Sequence, residues 1–243
     1  MTQYSSILTG IHPLSEHLIK RIFDLKYGRA TSPDHVIKAF EEDITDLISI
    51  LEQTSSEAVS IGNLGWWDIF RPFTVKFHRL VDHNTVGNLP VTRVPLTNTF
   101  YRQPIIDTKI SANELILKAV KHPFLEGNIL QTRFLPMNLK DKAWSLCLPG
   151  PYTFSRAADI DSKAQEIYRN QNELMADFSK ILCNELQYLA SEGFSHVVID
   201  ESYFAWETLD NDTSSLILEL WNQISTCSTI KVIIHTHLRL TEK

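Results

Sequence analysis

Short apolar runs alternate with long amphipathic segments along most of this chain, and that alternation limits its fold more than any other feature. An apolar run of five to seven residues has the length of a buried strand. An amphipathic stretch of ten or more residues after it has the length of a crossover helix, so the repeat reads as βα units around a parallel sheet. Six runs qualify: 6–10, 57–62, the less apolar 96–102, 143–148, 196–200 and 230–235. Between them, 15–28 carries Leu18, Ile19, Ile22, Phe23 and Leu25 at helical spacing and ends on Gly28, a residue suited to the left-handed stop of a helix. Ser32-Pro33-Asp34 offers an N-cap with proline in the first turn and opens a second helix to about residue 53, lined by Val36, Ile37, Phe40, Ile44, Leu47, Ile48 and Leu51. The longest helix is expected over 162–191, feeding the fifth run through Gly193; another starts at Asp212-Thr213 and ends near Cys227, and a shorter one covers 112–121. Residues 65–94, rich in Trp, Phe, Arg and His with little periodicity, read as an elaborated loop over the mouth of a site.

With 243 residues, 43% of them apolar, a single domain over 1–243 is expected. No segment approaches the length of a membrane span, and Met1-Thr-Gln-Tyr-Ser-Ser6 lacks the basic start and apolar run of a leader, so a cytoplasmic protein with no membrane partner is expected. A formal charge of −6 with dispersed basic residues excludes a nucleic-acid footprint, which needs clustered Lys and Arg. Cys147, Cys183 and Cys227 show no CxxC spacing and sit in apolar surroundings, so they read as buried, reduced thiols. These exclusions leave a small-molecule site.

In parallel α/β sheets the chemistry lies beyond the carboxyl ends of the strands. Those positions here are Gly10-Ile11-His12-Pro13, Gly62-Asn63, Tyr101-Arg102, Pro149-Gly150-Pro151-Tyr152-Thr153, Asp200-Glu201 and His235-Thr236-His237. Together they are polar, whereas core packing prefers Val, Ile and Leu. His235 and His237 are two apart on a strand and so face the same side, where imidazole can hold zinc; the alternative is a pair of ordinary polar residues at a strand terminus. Asp200-Glu201 reads either as a carboxylate for a substrate ammonium or as a helix cap or loop salt bridge. Gly150-Pro151 reads as a rigid turn. Trp66 and Trp67 either cover the mouth or wall a flat ligand.

These residues carry a resemblance to the cobalamin-independent methionine synthase family, in its short archaeal-type single-barrel form. Thr9-Gly-Ile-His-Pro13 resembles the opening GS-x-P strand end, and Leu25-Lys-Tyr-Gly28 the YxxG that closes the first helix. Ile61-Gly-Asn-Leu-Gly-Trp-Trp-Asp-Ile-Phe-Arg-Pro72 is similar to the family's DGE…W-D-x-F-R-P, and 98–104 resembles a family strand-end segment. Leu148-Pro-Gly-Pro-Tyr-Thr153 looks like GP-x-T, Val198-Ile-Asp-Glu201 like Q-x-DEP, and Ile234-His-Thr-His237 like IH-x-H-x-C.

The resemblance implies a (β/α)8 TIM-type barrel that transfers a methyl group from a methyl-folate or methyl-corrinoid donor to the thiol of homocysteine, giving methionine. Zinc would hold the thiolate. Asp200 would bind the homocysteine ammonium, the Gly10 loop its carboxylate through backbone N–H groups, and His237 the zinc, with His235 a further candidate ligand. Ile11, His12, Asn63, Trp66, Arg102, Thr153 and Glu201 complete the implied substrate-binding set. The chain departs from the family pattern at Ile11, at Asn63 in place of an acid, at Ser202 in place of proline and at Arg239 in place of a zinc-binding cysteine. The family's other ligands come from the last two βα units, which this reading places beyond Lys243, so an incomplete barrel of about six βα units is expected. Two alternatives stay open. One is a degenerate or partner-dependent subunit associating through open barrel edges; the other is chemistry like that of the uroporphyrinogen decarboxylase-like corrinoid methyltransferases.

Overall fold

The computed structural model describes residues 15–29, 32, 34–60, 69–70, 73, 91–94, 99–102, 104–111, 115, 143–205 and 207–236. Helix α1 (Glu16–Lys26) starts where the Ser15 hydroxyl accepts from the Leu18 amide at 3.0 Å, and it stops because Gly28 takes a φ of +68°. Helix α2 (Asp34–Glu52) follows, with the Ser32 hydroxyl accepting from the Asp34 amide as expected of a cap. Leu18 and Ile22 of α1 bury against Val36, Ala39, Phe40 and Ile44 of α2, the i, i+3, i+4 stripe read from the sequence.

The strands are β1 (Ala58–Ser60), β2 (Val91–Val94), β3 (Thr99–Arg102), β4 (Ile105–Ile106), β5 (Ala143–Pro149), β6 (Asp159–Ile160), β7 (His196–Asp200) and β8 (Lys231–His235). The remaining helices are α3 (Pro151–Ala157), α4 (Gln171–Ser191) and α5 (Asn211–Thr226), with a 3-10 turn at Ser202–Ala205. Four strands form a parallel sheet in the order β1-β5-β7-β8. The register sets Pro149 beside Asp200 and Asp200 beside His235, so three strands end level at one edge.

Leu148, Val197 and Ile199 are wholly buried, as a parallel strand covered on both faces requires. Helix α4 supplies the cover through Leu174, Phe178, Ile181, Leu182, Leu186 and Leu189, each worth roughly 1.5–3 kcal/mol of burial. Phe178 stacks flat on Phe154 of α3 with centroids 3.8 Å apart and meets Phe73 edge-on. The two outer strands differ: β1 is buried along its length, whereas Ile234 on β8 is 47% exposed.

The fold is mixed α/β with a parallel sheet, and the sequence expectation is corrected in part. Of the six runs, 57–62, 143–148, 196–200 and 230–235 form the parallel sheet in sequential order; 6–10 lies outside the described residues. Within run 96–102, Thr99–Arg102 forms β3 and pairs antiparallel with β2, Val91 opposite Arg102; 96–98 lie outside the described residues. A short connection between adjacent strands closes an antiparallel pair, while a parallel one needs a long crossover. Among the described residues there is no closed barrel.

Strands β4 and β6 add a small parallel pair that the sequence did not announce. The helix expected over 162–191 begins only at Gln171, because Asp161 Oδ1 accepts from the Lys163 amide in a local turn and Asn170 then caps the helix through Glu173 N. Between these points the Tyr168 hydroxyl donates to Asp177 and accepts from the Ile110 amide. Helix α5 starts one residue before the expected Asp212, capped by Asp210. Most of 112–121 lies outside the described residues. No helix among the described residues is long and apolar enough to cross a membrane. None of the three cysteines is in a disulfide; Cys147 is buried and the other two half-buried, and burial pushes Cys183 up to about 12.

Candidate functional site

The level ends of β5, β7 and β8 build one polar edge. At β5 the chain reads Pro149-Gly150-Pro151, an N-cap glycine followed by proline at the first helical position, and this starts α3 rather than a simple turn. The Gly150 amide donates to the Asp200 carbonyl at 2.8 Å, which carries the sheet ladder past its last regular pair.

Glu201, the residue after β7, is wholly buried over this junction. Its carboxyl accepts from the Tyr152 amide at 3.2 Å and from the Thr153 amide at 2.7 Å, satisfying two of the donors that open α3. A Cβ on Gly150 would sit 2.5 Å from Glu201 Cγ and closer still to its carboxyl carbon, so only glycine fits beneath this side chain. Burial pushes Glu201 up to about 7; the Thr153 and Tyr152 hydrogen bonds pull the other way, and the neighbouring Asp200 charge adds to the rise. Thr153, also wholly buried, accepts from the Tyr203 amide at 3.2 Å and so ties the 3-10 turn to α3.

Asp200 has a different setting. Its Oδ1 accepts from the Ser202 amide at 2.9 Å, and its Oδ2 lies 3.3 Å from His235 Nδ1. The Asp200 side chain is 15% exposed and that of His235 47%. The Glu201 amide donates to the His235 carbonyl, so both side chains stand on hydrogen-bonded backbone.

A second cluster clasps the same loop from its far side. Phe204 of the 3-10 turn stacks on the Tyr152 ring at 5.1 Å, the Tyr152 hydroxyl donates to Glu207 Oε2 at 2.6 Å, and Arg156 pairs with Glu207 while its guanidinium lies over the Tyr152 ring. Burial, with the Glu207 hydrogen bond, pushes Tyr152 up to about 12.

Of the residues singled out in the sequence, Thr153, Asp200, Glu201 and His235 come together at this edge. Arg102 ends β3 in the antiparallel hairpin. Gly10, Ile11, His12, Asn63, Trp66 and His237 lie outside the described residues. Sequence reasoning missed the Tyr152–Arg156–Glu207 clasp and took Gly150-Pro151 as a turn; glycine then proline before Tyr-Thr was the available sign of a helix start.

Among the described residues no group of three or more His, Cys, Asp or Glu side chains could hold a metal ion. Asp200 and His235 provide two donor groups, and they face each other. Zinc needs three or four protein ligands, so the described donor set does not fit it.

No family model matches the sequence, and no curated protein does. Solved structures do match. A Listeria monocytogenes protein described as a vitamin-B12-independent methionine synthase aligns over 97% of this chain and 65% of its own, with a TM-score of 0.60 at 14% identity. A B12-independent methionine synthase from Shewanella sp. W3-18-1, solved in complex with selenomethionine, aligns over 85% of this chain and 53% of its own, with a TM-score of 0.57 at 14% identity. The fold is methionine-synthase-like. The chain spans less than two thirds of the length of either protein.

Proposed function

We propose that this chain binds an α-amino acid of the homocysteine or methionine type at the carboxyl ends of β5, β7 and β8, with Asp200 receiving its ammonium group. The observation that carries this reading is the setting of Asp200: a carboxylate mostly shielded from water, held by one backbone amide, with its other oxygen toward a half-exposed imidazole. An ammonium that reaches such a carboxylate gains a charge-assisted hydrogen bond where solvent screens it weakly. Glu201 and Thr153 hold the loop from beneath, because their polar atoms are committed to the start of α3 and to the 3-10 turn. Support comes also from the likeness in fold to a methionine synthase solved with selenomethionine.

The methyl transfer that the resemblance implies would use zinc to hold the thiolate. The described donor set does not fit that ion, and His237 lies outside the described residues, so amino-acid recognition is the function proposed.

Calorimetric titration of the 243-residue chain with homocysteine and with methionine tests the reading. Saturable heat with the wild type, lost in Asp200→Asn, is expected. Absence of binding at millimolar ligand would remove the amino-acid site from the account.

A further inference from the structure

The loop that joins β7 to α5 starts at the candidate site and is tied to helix α3 at successive points. Glu201 accepts from the Tyr152 and Thr153 amides, the Tyr203 amide donates to Thr153 Oγ1, and Phe204 stacks on the Tyr152 ring. Glu207 then accepts from the Tyr152 hydroxyl and pairs with Arg156. Tyr152 and Arg156 stand i, i+4 on α3 and so share a face, which lets one carboxylate engage both. Arg156 Nε also donates to the Tyr152 hydroxyl at 3.4 Å. Burial pushes Tyr152 up to about 12, so its hydroxyl remains a donor to Glu207 at neutral pH. Tyr152 is almost wholly buried, whereas the Arg156 and Glu207 side chains are 36% and 33% exposed, so this clasp closes the loop from the solvent side.

Between those ties the loop carries Ser202, the first residue of the 3-10 turn, whose amide donates to Asp200 Oδ1 at 2.9 Å. A short 3-10 turn has poorer hydrogen-bond geometry than an α-helix and does not persist by itself, so its shape is set by what packs on it. Here that is α3: Thr153 meets the second residue of the turn, Tyr152 meets the third, and the Glu207 clasp lies just past its end. Releasing the clasp loosens the turn, and a loosened turn no longer holds the Ser202 amide on Asp200. Each step from Glu207 to Asp200 is a direct contact within one short loop and the helix beside it.

We propose that Tyr152, Arg156 and Glu207 are positioning residues for Asp200: their clasp closes the β7–α5 loop, fixes the 3-10 turn and so keeps the Asp200 carboxylate aimed at the ammonium of a bound amino acid. This rests on the amino-acid reading of the edge. It adds that closure and binding are linked, since the closed loop holds the ligand and the open loop does not, so each favours the other. A clasp that served the fold alone would show no such link.

Amide hydrogen exchange of the 243-residue chain, resolved by NMR with and without methionine, tests this. The Ser202 and Tyr203 amides should exchange through a local opening, recognised by rates that low urea leaves unchanged. In Glu207→Ala those two amides should exchange about tenfold faster, for loss of a charge-assisted acceptor. Glu207→Gln retains an acceptor for the Tyr152 hydroxyl and should recover most of the protection. Tyr152→Phe keeps the ring stack and should speed the same amides about fivefold, which decides the matter if Glu207→Ala does not fold. In the wild type, methionine at about ten times its measured Kd should slow Ser202 exchange about tenfold, because the open loop does not bind it. Unchanged Ser202 exchange in both Glu207→Ala and Tyr152→Phe overturns the proposal. So does Ser202 exchange that climbs with urea as the β7 amides do, because the loop then opens only with the whole fold, and so does methionine that binds without slowing Ser202. A chain that binds no methionine removes the amino-acid reading instead, and the clasp is then decided by the exchange rates of the variants alone.

Discussion

Asp200 and Glu201 are consecutive carboxylates on one strand end, yet they occupy opposite environments. Glu201 is sealed beneath the surface, over a glycine and against two helix-opening amides. Asp200 keeps one oxygen toward a half-exposed histidine. The alternation of side chains at the end of β7 sends the two in different directions, and what each meets decides its use. One holds the scaffold, and the other is the carboxylate proposed above to receive a substrate ammonium. An acidic pair at a βα junction is therefore two questions, and its sequence alone does not say which acid answers which.

The largest effect that can test this contrast is on ligand affinity. Asp200→Asn should weaken homocysteine or methionine binding by roughly 2–5 kcal/mol, the range for truncating one partner of a buried charge pair. Its unfolding free energy should change far less, because the asparagine oxygen can still accept from Ser202. Equal losses of affinity and stability would erase the distinction between the two acids.

Next comes the seal. Gly150→Ala drives a methyl group into Glu201 and should cost about 3 kcal/mol of stability in urea denaturation, at the upper end of overpacking penalties. Much of that loss should disappear when Glu201→Ala is added. If the two substitutions simply add, Glu201 is not what constrains that position.

The protonation of Glu201 sharpens the contrast further. Its carboxyl titrates near 4.5 in the unfolded chain and is pushed up to about 7 by burial in the folded one. Between those values the folded state holds a proton that the unfolded state has released. This contribution is thus fully present below about 4.5 and is lost as pH rises through 7, a change of at most about 3 kcal/mol. Urea midpoints across that window should show a downward component that Glu201→Gln lacks.

The smallest effect belongs to the other end of β7. His196 is buried with Nε2 unpartnered, while Nδ1 lies 2.6 Å from the Ser195 hydroxyl. Burial holds its imidazole below the usual range; Lys231 adds to the lowering and Glu57 opposes it. The unfolded chain takes up a proton as pH falls below about 6.5 and the folded chain resists it, so this stability is lost on acidification. His196→Leu should flatten that acid limb. An unchanged slope would mean that His196 is protonated as readily in the fold as outside it.

Most of the regular structure was legible because its signals are local. The apolar stripes of α1 and α2, the Gly28 stop and the Ser32 cap are written within a few residues of where they act. So are the apolar run of β5 and the β-branched runs of β7 and β8. What failed was pairing and capping that depend on the rest of the fold. Run 96–102 holds the strand β3, but its partner is β2, within a stretch read as loop, and apolar content does not encode strand polarity. Helix α4 starts late because Asp161 and Asn170 turn the chain before it, and Asn170 reads as an ordinary polar residue until its oxygen is seen on Glu173 N. At the site, Asp200, Glu201, Thr153 and His235 were found from their positions at strand ends. The division of labour among them was not, because it rests on the absence of a Cβ at Gly150, a residue with no side chain to read.

The sheet also carries a history of its own assembly. Strands β5, β7 and β8 with helices α3, α4 and α5 occupy one continuous stretch, 143–235, in which each element packs on a neighbour close along the chain. Strand β1 joins that stretch by pairing Ala58 with Ala143, across a far longer closure. Short closures lose less chain entropy, so the 143–235 stretch is placed to form its contacts first, with β1 docking onto a finished β5. The amides that β5 shares with β7 would then exchange with solvent only on global opening, while those facing β1 would be released earlier, by undocking of a single strand.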